Sequence, residues 1–190
     1  TTANEDIYIK NCEFDNIAFV GGNRAIYVHS NRNQRINILD NSFYQSVDQT
    51  YDLFPGRRTT EAIYLNVPTS VFIKRNYLGG SARFCAGLPF TVPFPAANDN
   101  FLNIRFINVQ GASASTDSVI IQDNVMQNID FSSNTWNNNV EPILNFIIFR
   151  NGATKITGNI MGDITGLTEV KATIRNITND DSDAMGIIGI

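Results

Sequence analysis

Two tyrosines carry the clearest chemical suggestion in this chain. Tyr27 and Tyr64 each stand inside a short apolar phrase, Ala25-Ile26-Tyr27-Val28 and Ala62-Ile63-Tyr64-Leu65. With Ile26, Val28, Ile63 and Leu65 turned inward, the pleat of a strand turns both rings outward. His29 and Asn66 follow at the next outward position, and Arg24 and Glu61 precede. Aromatic faces cover the apolar side of a pyranose, while amides and charges nearby satisfy its hydroxyls. Tyr27, Tyr64, His29, Asn66, Arg24 and Glu61 are therefore the candidate substrate-binding residues. A loop lying over the same strand would produce the same pattern.

Other chemistries find less support. Elimination from a uronate requires a base and a cation that neutralises the carboxylate. Lys74, Arg75, Arg57 and Arg58 are candidate cations, and Asp40, Asp123 and Glu61 are candidate calcium holders, although they follow no calcium-loop pattern. A lone His29 assembles neither a histidine metal site nor a Ser-His-Asp triad, because no serine stands in an activated context. Gly21-Gly22 and Gly79-Gly80 lack the context of a phosphate loop. No cofactor is identified.

The elements that must position these residues recur along the chain. One phrase, apolar-x-apolar-x-x-Asn-x-apolar, returns five times: at 7–14, 36–43, 71–78, 119–126 and 154–161, with Cys12 in the asparagine position of the first copy. Its second apolar residue is Ile9, Ile38, Ile73, Ile121 and Ile156, at spacings of 29, 35, 48 and 35 residues. Between copies lies a second strand-like phrase, at 25–28, 62–65, 102–106 and 144–148. Short strands in fixed order without helical patterns between them predict a solenoid whose strands stack about 4.8 Å apart. A β-sandwich would also supply short strands, but not an asparagine at one offset after each copy. The chain holds 25 asparagines against 4 lysines. Asn41, Asn76, Asn124 and Asn159 are expected in stacked turns, with left-handed backbone angles tolerated and amides bonded from coil to coil.

The phrases at 36–43 and 119–126 resemble coils of the pectate-lyase-like right-handed parallel β-helix superfamily, and the resemblance spans roughly residues 5–178. It implies an all-β, right-handed parallel β-helix with loop insertions and an extracellular polysaccharide as partner. The superfamily includes polysaccharide lyases, glycoside hydrolases, phage tailspikes and non-catalytic adhesins; its catalytic motifs are not matched, so no catalytic residue is carried over. Residues 174–178 and 185–190 are similar to coils in large surface proteins of Bacteroidota.

Length and composition agree with one domain over residues 1–190, and the resemblance implies that it is secreted or surface-displayed. Hydrophobic residues make up 43% of the chain, enough to fill a core, and a net charge of −4 offers no basic surface for nucleic acid. No apolar run approaches the roughly 20 residues that span a bilayer. Cys12 and Cys85 read as two buried thiols; their pairing is open. Insertions are expected at 48–60 and 79–100. The second carries Phe84, Leu88, Phe90 and Phe94 among prolines, which suits a flap on its own chain, an oligomer contact or a ligand wall. Trp136, amid turn formers at 132–139, either stacks on a sugar or closes a coil. The apolar run Ile187 to Ile190 would leave an unpaired final coil, which points to an adjoining domain or partner chain and to a longer polypeptide.

Overall fold

A computed structural model describes residues 6–16, 24–29, 35–46, 58–66, 70–91, 102–110, 118–130, 143–149, 153–162 and 170–171. Among these the structure is all-β, apart from one 3-10 turn at Arg83–Cys85. Strands fall into four parallel sheets, none closed on itself. The first stacks β1 (Asp6–Lys10), β4 (Arg35–Leu39), β7 (Val71–Lys74), β11 (Ser118–Gln122) and β15 (Ala153–Thr157). The second stacks β2 (Glu13–Asp15), β5 (Ser42–Tyr44), β8 (Tyr77–Leu78), β12 (Val125–Met126) and β16 (Ile160–Met161). The third holds β3 (Arg24–His29), β6 (Arg58–Asn66), β10 (Leu102–Gln110) and β14 (Ile143–Phe149). The fourth pairs β9 (Phe90–Thr91), β13 (Ile129–Asp130) and β17 (Val170–Lys171). Neighbours in a sheet are therefore strands one repeat apart in the chain.

Register follows the repeated phrase residue for residue. Ile9, Ile38, Ile73, Ile121 and Ile156 are successive partners across the first sheet, as expected. The three central ones are fully buried and the two terminal ones partly so. Each central isoleucine has an identical side chain above and below, and each terminal one has it on one side, so a slip by one residue would send the column to solvent. Aromatics continue the core across sheets. Phe14 stacks on Phe43 at 4.7 Å between centroids, Phe43 meets Phe106 edge-on at 5.9 Å, and Phe106 stacks on Phe146 at 5.7 Å.

The turn between the first two sheets accounts for four of the 25 asparagines, with one correction. Asn41, Asn76 and Asn124 are buried, and Asn159 is partly so. Each Oδ1 of Asn76, Asn124 and Asn159 accepts both the backbone N–H and the Nδ2–H of the preceding asparagine, at 2.8–3.1 Å. Each Nδ2 also donates to a first-sheet carbonyl: Ile9, Ile38, Ile73 or Ile121. Cys12 ends the ladder, its N–H bonded to Asn41 Oδ1 at 3.0 Å. The left-handed residue, however, is the one before the ladder position: Asn11, Asp40, Arg75, Asp123 and Gly158, with φ between 53° and 67°. The ladder asparagines were selected for their amides, and the backbone reversal falls to whatever precedes them. For a non-glycine residue that reversal costs about 1–2 kcal/mol, offset here by the ladder's bonds.

Both expected insertions need correction. Arg58–Asn66 is one strand, so residues 58–60 belong to a sheet and not to a loop; 48–57 lie outside the described residues. In the second, Gly79 and Gly80 turn at φ 131° and 71°, where a Cβ on Gly79 would stand 1.8 Å from the Gln127 carbonyl oxygen. Ala82 and Ala86 then bridge, and Asn128 Nδ2 donates to the carbonyls of Cys85, Gly87 and Leu88. Phe90–Thr91 pairs with Ile129–Asp130, which makes it sheet. Phe84 packs edge-on against Tyr77 at 5.0 Å, yet it and Leu88 remain exposed. Phe94, Trp136 and the closing run 187–190 lie outside the described residues. Both cysteines are free thiols; Cys85 is buried, but Cys12, at the ladder's end, is exposed, contrary to expectation.

Candidate functional site

A bend in the third sheet gathers the candidate residues. Strict alternation would place Arg24 and Tyr27, three residues apart, on opposite faces, and likewise Glu61 and Tyr64. Each strand instead puts two consecutive residues into the core: Ala25 and Ile26, Ala62 and Ile63, Phe106 and Ile107, Phe146 and Ile147. Ladder pairing lapses at the first of each pair, between Glu61 and Ile63 and at the matching point of every strand. Such an interruption kinks a strand and resets its alternation. Residues on either side of the kink, Arg24 and Tyr27 among them, thereby share the outer face.

Three columns result. Arg24, Glu61, Arg105 and Asn145 are partners in the first; Tyr27, Tyr64, Asn108 and Ile148 in the second; His29, Asn66 and Gln110 in the third. The tyrosine rings lie 5.5 Å apart between centroids, and Tyr27 is 54% exposed. His29 is exposed beside Tyr27 at 6.4 Å. The Arg24 guanidinium carbon sits 4.0 Å from the Tyr64 ring centroid and 4.9 Å from that of Tyr27. A cation over two ring faces is attracted by both quadrupoles.

Glu61 is corrected from a surface contact to a buried anchor. It is 1% exposed, accepting from Arg24 Nε at 2.6 Å, from Arg105 Nη1 at 3.2 Å and from Asn108 Nδ2. Asn108 Oδ1 in turn accepts from Gln110 Nε2. The carboxylate thus lies between two guanidiniums, its Oε2 taken by Arg24 and its Oε1 by Arg105 and Asn108. Arg24 and Arg105 remain partly exposed. Arg105 Nε is buried without a hydrogen-bond partner, an unspent donor beneath the cluster.

Tyr27, Tyr64, His29, Asn66 and Arg24 thus share one outer face, with Glu61 beneath it. Arg105, Asn108 and Gln110 were missed by sequence reasoning: Asn108 and Gln110 lie beyond the phrase at 102–106, and Arg105 lies within it but shows its role only through Glu61. A signal existed in the string Ile104-Arg105-Phe106-Ile107-Asn108-Val109, where two adjacent apolar residues break the alternation.

The remaining candidates do not join this group. Arg75 is paired with Asp40, Nε to Oδ1 at 2.6 Å and Nη2 to Oδ2 at 2.8 Å. Lys74 lies on the first sheet, Arg57 is outside the described residues, and Arg58 heads β6. Among the described residues no group of three or more His, Cys, Asp or Glu could hold a metal ion, and Asp40 and Glu61 are each engaged by arginine. No helix among them is long and apolar enough to cross a membrane. No family model, no curated protein and no solved structure matches this chain.

Proposed function

We propose that the chain is a right-handed parallel β-helix module that binds an extracellular polysaccharide through the outer face of the third sheet. The solenoid reading is supported by the parallel register of strands one repeat apart and by the asparagine ladder. The observation that carries the binding reading is the in-register pair Tyr27 and Tyr64, held by an arginine that a buried carboxylate fixes in place. Side chains locked before the ligand arrives lose little entropy on binding, which favours affinity. A secreted or surface-displayed location follows from that substrate.

Recognition fits this face better than catalysis. The one carboxylate described in it is buried and triply hydrogen-bonded, whereas hydrolysis needs an acid and a base and elimination a free base. The second reading, a rigid spacer in an adhesin or tailspike, is favoured by the ladder of four stacked asparagines, which ties successive repeats together. A polysaccharide lyase is the third.

Glycan-array binding by wild-type protein and by Tyr27→Ala/Tyr64→Ala decides among them. The expected result is retention of glycans by wild type and their loss in the double variant at unchanged circular dichroism. Unchanged binding in the variant rejects this face, and wild-type protein that retains no glycan leaves the spacer. Unsaturated uronic products on acidic polysaccharides would establish the lyase.

A further inference from the structure

Three of the chain's four lysines, Lys10, Lys74 and Lys155, stand on the outer face of the first sheet, with Arg35 beside them. This clustering runs against the composition, since 18 acidic residues outnumber 14 basic ones. Burial alternates along β1, β7 and β11, and the register carries the same face across β4, where Asn37 is buried as well: Ile7, Ile9, Ile36, Ile38, Val71 and Ile73 turn inward, so their neighbours turn outward. Among the outward positions of the five strands Asp6 is the one acid, and it meets Arg35 only at 3.5 Å. Lys10, Lys74 and Lys155 form no ion pair with a described residue. At the rim Asp40 is paired with Arg75, and Asp123 is a further acidic residue there among the described ones.

Aromatics are interleaved with these cations in register. Tyr8 precedes Lys10 by two residues on β1, as Phe72 precedes Lys74 on β7, and the two pairs lie two strands apart. At about 4.8 Å per strand, the pairs repeat after roughly 10 Å across the sheet. Tyr8 is 55% exposed. Phe72 has the Lys74 ammonium 5.7 Å and the Arg35 guanidinium carbon 6.0 Å from its centroid. A cation resting on a ring keeps its charge and its hydrogen-bond donors, which pairing with a carboxylate would have spent.

We propose that this face is a second carbohydrate surface, one that takes an anionic polysaccharide, carboxylated or sulfated, laid across the strands. Ring faces receive sugar rings, Lys10 and Lys74 two residues further along receive their acidic groups, and Lys155 adds a cation in the column of Tyr8 and Phe72 itself. Like-signed charge on an open sheet draws a polyanion from solution and holds it in a salt-dependent way. A nucleic acid, with a charge on every nucleotide, would meet too few cations here and the acidic remainder of the chain. The assignment does not rest on the Tyr27 and Tyr64 strip.

The test measures binding of polygalacturonate, dextran sulfate and neutral dextran at low and physiological salt. The proteins are wild type, Lys10→Gln/Lys74→Gln/Lys155→Gln and the matching triple Arg variant, with circular dichroism as the fold control. Wild type and the Arg variant should bind at least one anionic polymer and weaken with salt, and the Gln variant should lose affinity on the order of tenfold or more. Undiminished binding by a folded Gln variant, or no anionic binding by wild type, overturns the proposal. So does equal affinity for a single-stranded oligonucleotide. If the Gln variant misfolds, single Lys74→Gln and Lys10→Gln proteins replace it, and affinity unchanged in both is equally fatal. Tyr27→Ala/Tyr64→Ala, assayed in parallel, separates the two surfaces: it should leave polyanion binding intact whether or not the tyrosine strip binds glycans.

Discussion

Arg24 Nε lies 2.6 Å from Glu61 Oε2, joining partners that face each other across β3 and β6 while the same guanidinium covers the Tyr64 ring. Because Glu61 is buried and Arg24 is not, the pair transmits an interior constraint to a surface aromatic. Glu61→Ala would leave two neighbouring arginines and Asn108 without their common acceptor. The expected cost is about 1.5–3 kcal/mol, toward the lower end because both arginines stay partly solvated. Urea denaturation measures it, and a variant as stable as wild type would show that the carboxylate anchors nothing.

Ile73 sits at the middle of the isoleucine column, fully buried with Ile38 and Ile121 as partners. Ile73→Ala should cost about 2–5 kcal/mol through lost transfer energy and the cavity left behind. The same substitution at Ile9, at the partly exposed end, should cost visibly less. Equal losses at both sites would contradict the burial gradient.

In the ladder, Asn76 accepts from two donors of Asn41 and donates to the Ile38 carbonyl. Asn76→Ala orphans these buried groups, and a loss of about 1–3 kcal/mol is expected for a single unmet one, more if no water enters. Asn76→Asp should be no better, since a carboxylate cannot donate to Ile38 and is costly to bury. Thermal melts of both variants test this, and an unshifted Asp variant would refute the donor's importance.

The two thiols should react very differently. Burial pushes the Cys85 thiol up to about 12, whereas Cys12 is exposed. Since the thiolate is the nucleophile, iodoacetamide at pH 8 should label Cys12 alone in folded protein and both in denaturant. Mass spectrometry of the digests gives the answer directly. Rapid labelling of Cys85 in the native state would place it at the surface.

Hydrogen bonds from Arg75 hold the Asp40 carboxyl below its usual range, with the charges of Arg75 and Lys10 acting in the same direction. A carboxyl depressed in the folded state stabilises above its unfolded value, near 3.8, and that contribution disappears as pH falls through the lower folded value. The stability gap between wild type and Asp40→Asn should therefore be present at neutral pH and close on acidification. A gap independent of pH would show that the pair is energetically silent.

The repeated phrase by itself determined the strands, their parallel order and the register of the isoleucine and asparagine columns, because period-two burial and one amide per turn are local properties. It also placed Tyr27 and Tyr64 side by side, since each sits at the same offset within its strand phrase. The sequence put Arg24 and Glu61 at the entry to this pair, but only the tertiary structure decided how they reach it. Alternation predicts opposite faces for residues three apart, and the kink that cancels this prediction arises where Ala62, Phe106 and Phe146 pack into the core beside Ile63, Ile107 and Ile147. The burial of Glu61, and with it the recruitment of Arg105 and Asn108, likewise depends on strands separated by more than 40 residues of chain. No pattern within one repeat specifies how far such neighbours cover a side chain, so the anchor beneath the aromatic face became visible only once the strands were stacked.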